Sequence, residues 1–176
     1  MAKPTTAQRT KIRTLRKALF ARDAAQVRQG IDDTRDTGDP IVFDNLLEAI
    51  TKHLEDTGLD APFRRQARLG VLGYAPAGTQ AAAERQTITS LTIAGLSGMD
   101  LTPISHFDNL ETLTLRRMRD FDGMASLKAL PKLRSIVVHS CSTHGLSEAM
   151  GDFAALREIR VDTPLKWGFL PTGIEE

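Results

Sequence analysis

The chain has 176 residues, 41% hydrophobic and 26% charged, with a net charge of +1. These are ordinary values for a globular protein and too balanced for a disordered or fibrous one. No apolar run reaches the roughly 18 residues of a membrane-spanning helix. The first residues hold no apolar signal core, and a single cysteine cannot close an internal disulfide, so a cytoplasmic protein is expected. The near-neutral total hides an asymmetry: residues 1–30 carry eight Lys and Arg against Asp23 alone, a local +7 that leaves −6 elsewhere.

Residues 5–21 read as an amphipathic helix, with Ile12, Leu15 and Leu19 on an apolar face and Arg9, Arg13 and Lys17 on a basic one. That basic stripe admits an alternative function, nucleic-acid association through phosphate contacts. It comes without stacking aromatics or a second, base-reading helix. A solvated helix face is the commoner outcome, and membrane attachment is disfavoured because later helices can cover the aliphatic face.

Asp23 is suited to cap a second helix, with Gln26 placed for a capping box and Val27 and Ile31 facing inward. Gly38 breaks that helix, Asp39 caps a third and Pro40 takes its first position. The third helix offers Phe43, Leu46, Leu47, Ile50 and Leu54 to a core. A fourth starts near Asp60-Ala-Pro62, carries Phe63, Ala67 and Leu69, and is expected to end at Gly70 and Gly73. Residues 75–86 are small and polar and read as a connector, with Ala81–Arg85 as its candidate helical stretch.

A repeat follows. Ile88-Thr-Ser-Leu91-Thr-Ile93, Leu110-Glu-Thr-Leu113-Thr-Leu115, Leu133-Arg-Ser-Ile136-Val-Val138 and Leu156-Arg-Glu-Ile159-Arg-Val161 begin 22, 23 and 23 residues apart. In each, the aliphatics at +3 and +5 fall on one side of a short strand. Between strands, Leu101, Ile104 and Phe107, then Met124, Leu127 and Leu130, then Leu146, Met150 and Phe153 recur at helical spacing. One such unit cannot bury its own apolar edge, so neighbours must stack into a parallel sheet.

The stretch Asp100-Leu-Thr-Pro-Ile-Ser-His-Phe-Asp-Asn-Leu-Glu-Thr-Leu-Thr-Leu115 resembles the repeat of internalin-type and phosphatase-regulator leucine-rich repeat proteins, over about residues 87–162. The resemblance implies an α/β solenoid of four parallel strands with short convex helices, bacterial origin, and protein binding without chemistry. One departure stands out. The family's turn position, usually Asn and in some subfamilies Cys, is here Leu96, Met118, Cys141 and Pro164, so no asparagine ladder is expected and the turn amides need other partners.

The organisation expected is a helical cap over 1–74, a connector over 75–86, repeats over 87–163 and a capping tail over 164–176, since both ends of a strand array need cover. Partners of such arrays use the outward strand face, which gives Thr114, Arg116, Arg117, Val137, His139, Arg160 and Asp162 as candidate binding residues. Arg134 and Arg157 add charge nearby, a mildly basic ledge suited to an acidic protein surface. Four strands make it only about 15 Å wide. The alternative is a solvated surface with the partner elsewhere.

The cluster His139, Cys141 and His144 has metal-ligand residue types, but in this register His139 points outward and Cys141 inward, where a thiol is inert. A buried structural cysteine is the better reading. His53 and His106 read as structural or solvated, and Gly123 and Gly145 fall in repeat turns. No phosphate loop, paired-acid or triad motif is present, so neither cofactor, metal nor catalysis is expected; an enzyme with an unrecognised site is the remaining alternative. Within protein binding, an adaptor and an immunity protein that neutralises a toxin are equally compatible.

Overall fold

The computed structural model describes residues 3–57, 62–95, 98–119, 121–141, 153 and 155–162. The chain divides into two compact units, Met1–Thr87 and Ile88–Glu176. The first is helical: α1 (Thr6–Leu19), α2 (Ala24–Arg35), α3 (Pro40–Thr57), α4 (Pro62–Tyr74) and α5 (Gln80–Thr87). The second carries β1 (Ser90–Ala94), β2 (Thr112–Arg116), β3 (Ser135–His139) and β4 (Glu158–Asp162). The protein is therefore α/β with a parallel sheet. No helix among the described residues is long and apolar enough to cross a membrane.

Helix termini leave backbone N–H and C=O groups without partners, and side chains supply them here. At the start of α1 the Gln8 N–H donates to Thr5 Oγ1 (3.3 Å) and the Thr5 N–H donates to Gln8 Oε1 (2.8 Å), a complete capping box. The same Gln8 amide donates to Asp39 Oδ2 (2.8 Å), while Asp39 Oδ1 accepts the Ile41 N–H (3.0 Å) in the first turn of α3. One glutamine thus joins two helix starts. Asp23 caps α2 as expected, accepting the Gln26 N–H at 2.9 Å.

Arginines close the opposite ends. Arg64 of α4 is 9% exposed and donates to the carbonyls of Leu19, Phe20 and Ala21 at the end of α1. Arg85 of α5 donates to those of Leu72 (3.0 Å), Gly73 (2.5 Å) and Ala75 (3.3 Å) at the end of α4. A cation at a helix C-terminus also meets the negative end of the macrodipole. The stretch read from sequence as connector is therefore largely α5, with Ala81 and Ala82 buried.

Gly70 and Gly73 do not end α4; both lie inside it. The reason for Gly70 is packing. A Cβ there would sit 2.6 Å from the Ile31 side chain, and one on Gly30 would sit 2.9 Å from Ala18 Cβ. The helix gives up about 1 kcal/mol of propensity at each glycine, offset by the close approach of α2 to α1 and to α4. Val42, Phe43, Leu46, Leu47 and Ile50 of α3 are buried, together with Leu15, Leu19, Val27 and Leu72.

In the second unit the strands pair in chain order, β1-β2-β3-β4, all parallel. Leu113 aligns with Leu91 and Ile136, and Ile136 with Ile159. Leu113, Leu115, Ile136 and Val138 of the two inner strands are fully buried, whereas Leu91, Ile159 and Val161 of the outer strands are half-buried. Thr102–His106 and Met124–Ala129 form 3₁₀ segments that bury Ile104, Met124 and Leu127. The corresponding Leu146 and Met150, with the tail over 164–176, lie outside the described residues.

A second bridge ties these turns together. The Leu101 N–H donates to Asp122 O (2.9 Å) and the Asp122 N–H to Met99 O (2.8 Å). Gly123 follows with φ +83°, and a Cβ on it would lie 2.7 Å from both Asp100 Oδ1 and the Thr102 nitrogen. Gly95 has φ +70° with nothing within 4 Å of its would-be Cβ. Gly95→Ala should therefore cost only the left-handed strain, about 1–2 kcal/mol. Gly123→Ala should cost at least about 3 kcal/mol, since a backbone clash adds to that strain. Denaturant titrations of both variants compare the losses directly; equal values would rule out the close approach.

Asp39 gives a pH signature. The Gln8 amide, then the Ile41 and Val42 N–H groups and the Lys11 charge, hold its carboxyl below the usual carboxylate range against a smaller opposing effect of burial. A carboxyl depressed on folding stabilises the fold above its unfolded pKa of about 4 and loses that contribution as pH falls through the folded value. Gln8→Ala removes the largest cause. The variant should lose less stability than wild type between about pH 5 and pH 2.5 in urea titrations.

Candidate functional site

The parallel register sets three rows of outward side chains across the sheet. The first is Ser90, Thr112, Ser135 and Glu158; the second is Thr92, Thr114, Val137 and Arg160; the third is Ala94, Arg116, His139 and Asp162. Thr114 and Val137 are half-buried by their neighbours, while Arg116, Arg160 and Asp162 are exposed. The expected outward residues thus share one face. Arg117 lies one residue past the end of β2 and is also exposed.

Charge on this face is less uniform than the sequence reading held. On the β4 side Arg160 Nε donates to Glu158 Oε1 (2.7 Å), and Ser135 Oγ donates to Glu158 Oε2 (3.2 Å). His139 Nδ1 lies 3.0 Å from Asp162 Oδ2. The exposed Arg160–Glu158 pair adds little stability, about 0–1 kcal/mol, but it sets a carboxylate against one cation of the face. Arg116, Arg117 and Arg119 are exposed, and among the described residues none of them is in an ion pair. Arg134 and Arg157, just before β3 and β4, are exposed too and in no ion pair among the described residues, so cations without a carboxylate flank both ends of the face.

The backbone repeats at that end. Gly95, Arg117 and Ser140 each follow a strand, and their φ values are +70°, +49° and +53°. Their N–H groups continue the ladder: Gly95 donates to Arg116 O (2.9 Å), Arg117 to His139 O (2.9 Å) and Ser140 to Asp162 O (3.4 Å). A left-handed residue turns the chain off the sheet after one last inter-strand bond. Arginine and serine hold it at about 1–2 kcal/mol of strain per site. Nothing in their residue type signals this.

Cys141 lies next along the chain and is buried. The Met118 N–H donates to its Sγ at 3.4 Å, and the thiol donates to His139 O at 3.4 Å. Cys141 thus satisfies a turn amide of the preceding unit, at one position where the sequence offered no asparagine. Burial pushes its thiol pKa up, partly offset by those backbone contacts. His139 and Cys141 diverge as expected, and His144 lies outside the described residues. Among the described residues no three His, Cys, Asp or Glu side chains converge as metal ligands.

In the helical unit, Arg9, Arg13 and Lys17 are exposed along α1, and Arg9 Nε donates to Pro4 O at 3.1 Å. His53 packs edge-on against Phe20 at 4.9 Å between ring centroids. Phe20 also sits under the guanidinium groups of Arg16 (5.1 Å) and Arg64 (4.6 Å). An open cleft of about 320 Å³ beside them is lined by Arg16, Glu48, Lys52, His53 and Asp56 among others. Its acids and bases alternate and present no nucleophile–base pair. The Arg64 cluster escaped the sequence reading because its partners lie more than forty positions away.

No protein-family model matches the chain, and neither a curated protein nor a solved structure matches it.

The Cys141 environment is open to a direct check. With its pKa raised, the native thiol should react with a disulfide reagent at neutral pH far more slowly than an ordinary exposed thiol. The rate should rise by orders of magnitude on unfolding in urea. Fast native labelling would place the thiol outside the core.

Proposed function

We propose that this protein is a non-catalytic protein-binding module, a short leucine-rich repeat solenoid whose outward strand face docks an acidic segment of a partner. The observation that carries the reading is the exposed polar face of an all-parallel sheet. Such sheets are normally covered on both sides, whereas here Thr92, Arg116, Glu158, Arg160 and Asp162 stand in solvent. Arg116, in no ion pair among the described residues and beside His139 on the next strand, is the natural anchor.

Size constrains the partner. At about 4.8 Å between strands and about 3.3 Å per residue, the face measures roughly 15 by 16 Å. A standard protein interface needs about 800 Å² per partner, more than three times that plan area. The bound element is therefore a short segment, with Arg117 and Arg119 extending the contact past the strand ends. An adaptor role and a toxin-neutralising role both fit a module of this kind.

Capture of partners from the native cell, followed by titration of variants against the recovered protein, tests the reading. Arg116→Glu removes an interface arginine and opposes an acidic partner with like charge, so it should cost 2 kcal/mol or more, about thirtyfold in Kd. Arg13→Glu on α1 should leave that affinity unchanged. The reverse pattern would move the working surface to α1.

A further inference from the structure

α1 carries five cationic side chains, Arg9, Lys11, Arg13, Arg16 and Lys17, and no acidic one. α2 and α3, by contrast, mix both signs. The cations of α1 are not equivalent. Lys11 lies close enough to Asp39 to lower its pKa. Arg16 sits over Phe20 and shares its cleft with Glu48 and Asp56. Arg9, Arg13 and Lys17 remain exposed, and none is in an ion pair with a described carboxylate. They stand four residues apart in one file, about 6 Å per step.

Such a file works against the fold. Like charges at i,i+4 destabilise a helix by a few tenths of a kcal/mol per pair, and the next residues deepen the problem. The buried Arg64 guanidinium that closes α1 has its pKa lowered, chiefly by burial and further by the charge of Arg22. Among the described residues the Arg64 bonds go to carbonyls and to no carboxylate. Of the α1 cations, Arg9, Arg13 and Lys17 are thus the ones with no carboxylate partner among the described residues.

We propose that this face of α1 docks on the phosphate backbone of duplex DNA without reading its sequence, with Arg9, Arg13 and Lys17 each contacting a phosphate. A file of one sign with no apolar anchor suits a linear polyanion better than a protein patch, whose binding energy centres on buried aromatic or arginine anchors. A spacing of one helical turn is comparable with that of successive phosphates on one strand. A bilayer is a poorer match, because Leu15 and Leu19 are already buried in the helical unit and cannot insert. Single strands want stacking aromatics, and α1 has none. Nothing in this proposal depends on what the sheet binds.

The test is fluorescence anisotropy of a labelled mixed-sequence duplex titrated with the full chain at several salt concentrations. Three phosphate contacts give a slope of log K against log salt near −2.7, so affinity should fall about fortyfold between about 50 and 200 mM NaCl. The triple variant Arg9→Gln, Arg13→Gln, Lys17→Gln should lose at least about tenfold in affinity at the low-salt end and most of the slope. Arg116→Gln should change neither. Circular dichroism and thermal melting establish that each variant is folded; should the triple variant unfold, Arg13→Gln alone should remove about one third of the slope. Unchanged binding and slope in the α1 variants would overturn the proposal. So would tighter binding to a single strand than to the duplex, or retention on phosphatidylserine vesicles without duplex binding.

Discussion

Each strand of the second unit is five residues long and turns only two aliphatic side chains inward, too few to hold a strand by itself. What holds it is the backbone ladder to the next strand, and the ladder works only if every unit presents its aliphatics at the same level. A slip of one residue would turn Leu113 and Leu115 outward and bring Thr112 and Thr114 into the core. The shared register therefore fixes the buried layer, and it fixes the outward rows at the same time. Arg116 stands beside His139, and His139 beside Asp162, because Leu115 stands beside Val138 and Val138 beside Val161.

The helical unit solves a different problem. Each end of its helices exposes backbone groups that must be paired. Gln8 serves two starts at once, while Arg64 and Arg85 each gather the carbonyls of a helix end. These residues act at a distance along the chain, so each binds one helix to another while capping it. Gly30 and Gly70 then let the helix axes approach closely. The result is a unit whose polar groups are organised around its ends and whose basic face is left to solvent.

Much of the sheet was legible because its signal is local and repeated. The +3 and +5 aliphatics placed four strands, and alternation placed the outward rows. The helix starts at Asp23 and Asp39 were legible for the same reason, as short side chains acting within three residues of themselves. What escaped depends on contacts remote in sequence. Gly70 reads as a terminator until Ile31 is seen against it. Arg64 reads as a surface charge until the end of α1 is placed beneath it. The Arg160–Glu158 ion pair on the outward face was hidden too, because pairing along a strand depends on side-chain reach rather than on register. Cys141 was rightly assigned to the interior, but its service to the Met118 amide needed the neighbouring turn.

The left-handed residues that follow the strands have a consequence for change over time. Position 95 is glycine, at ease in that conformation, while 117 and 140 are arginine and serine under strain. Glycine at either would relax the backbone, so two stabilising substitutions lie beside the outward face. At 117 the relaxation would delete one of the exposed cations beside that face. Selection for heat resistance alone and selection for recognition would pull that residue in opposite directions. A thermostabilised variant chosen without regard to binding could become sturdier and less charged in a single step.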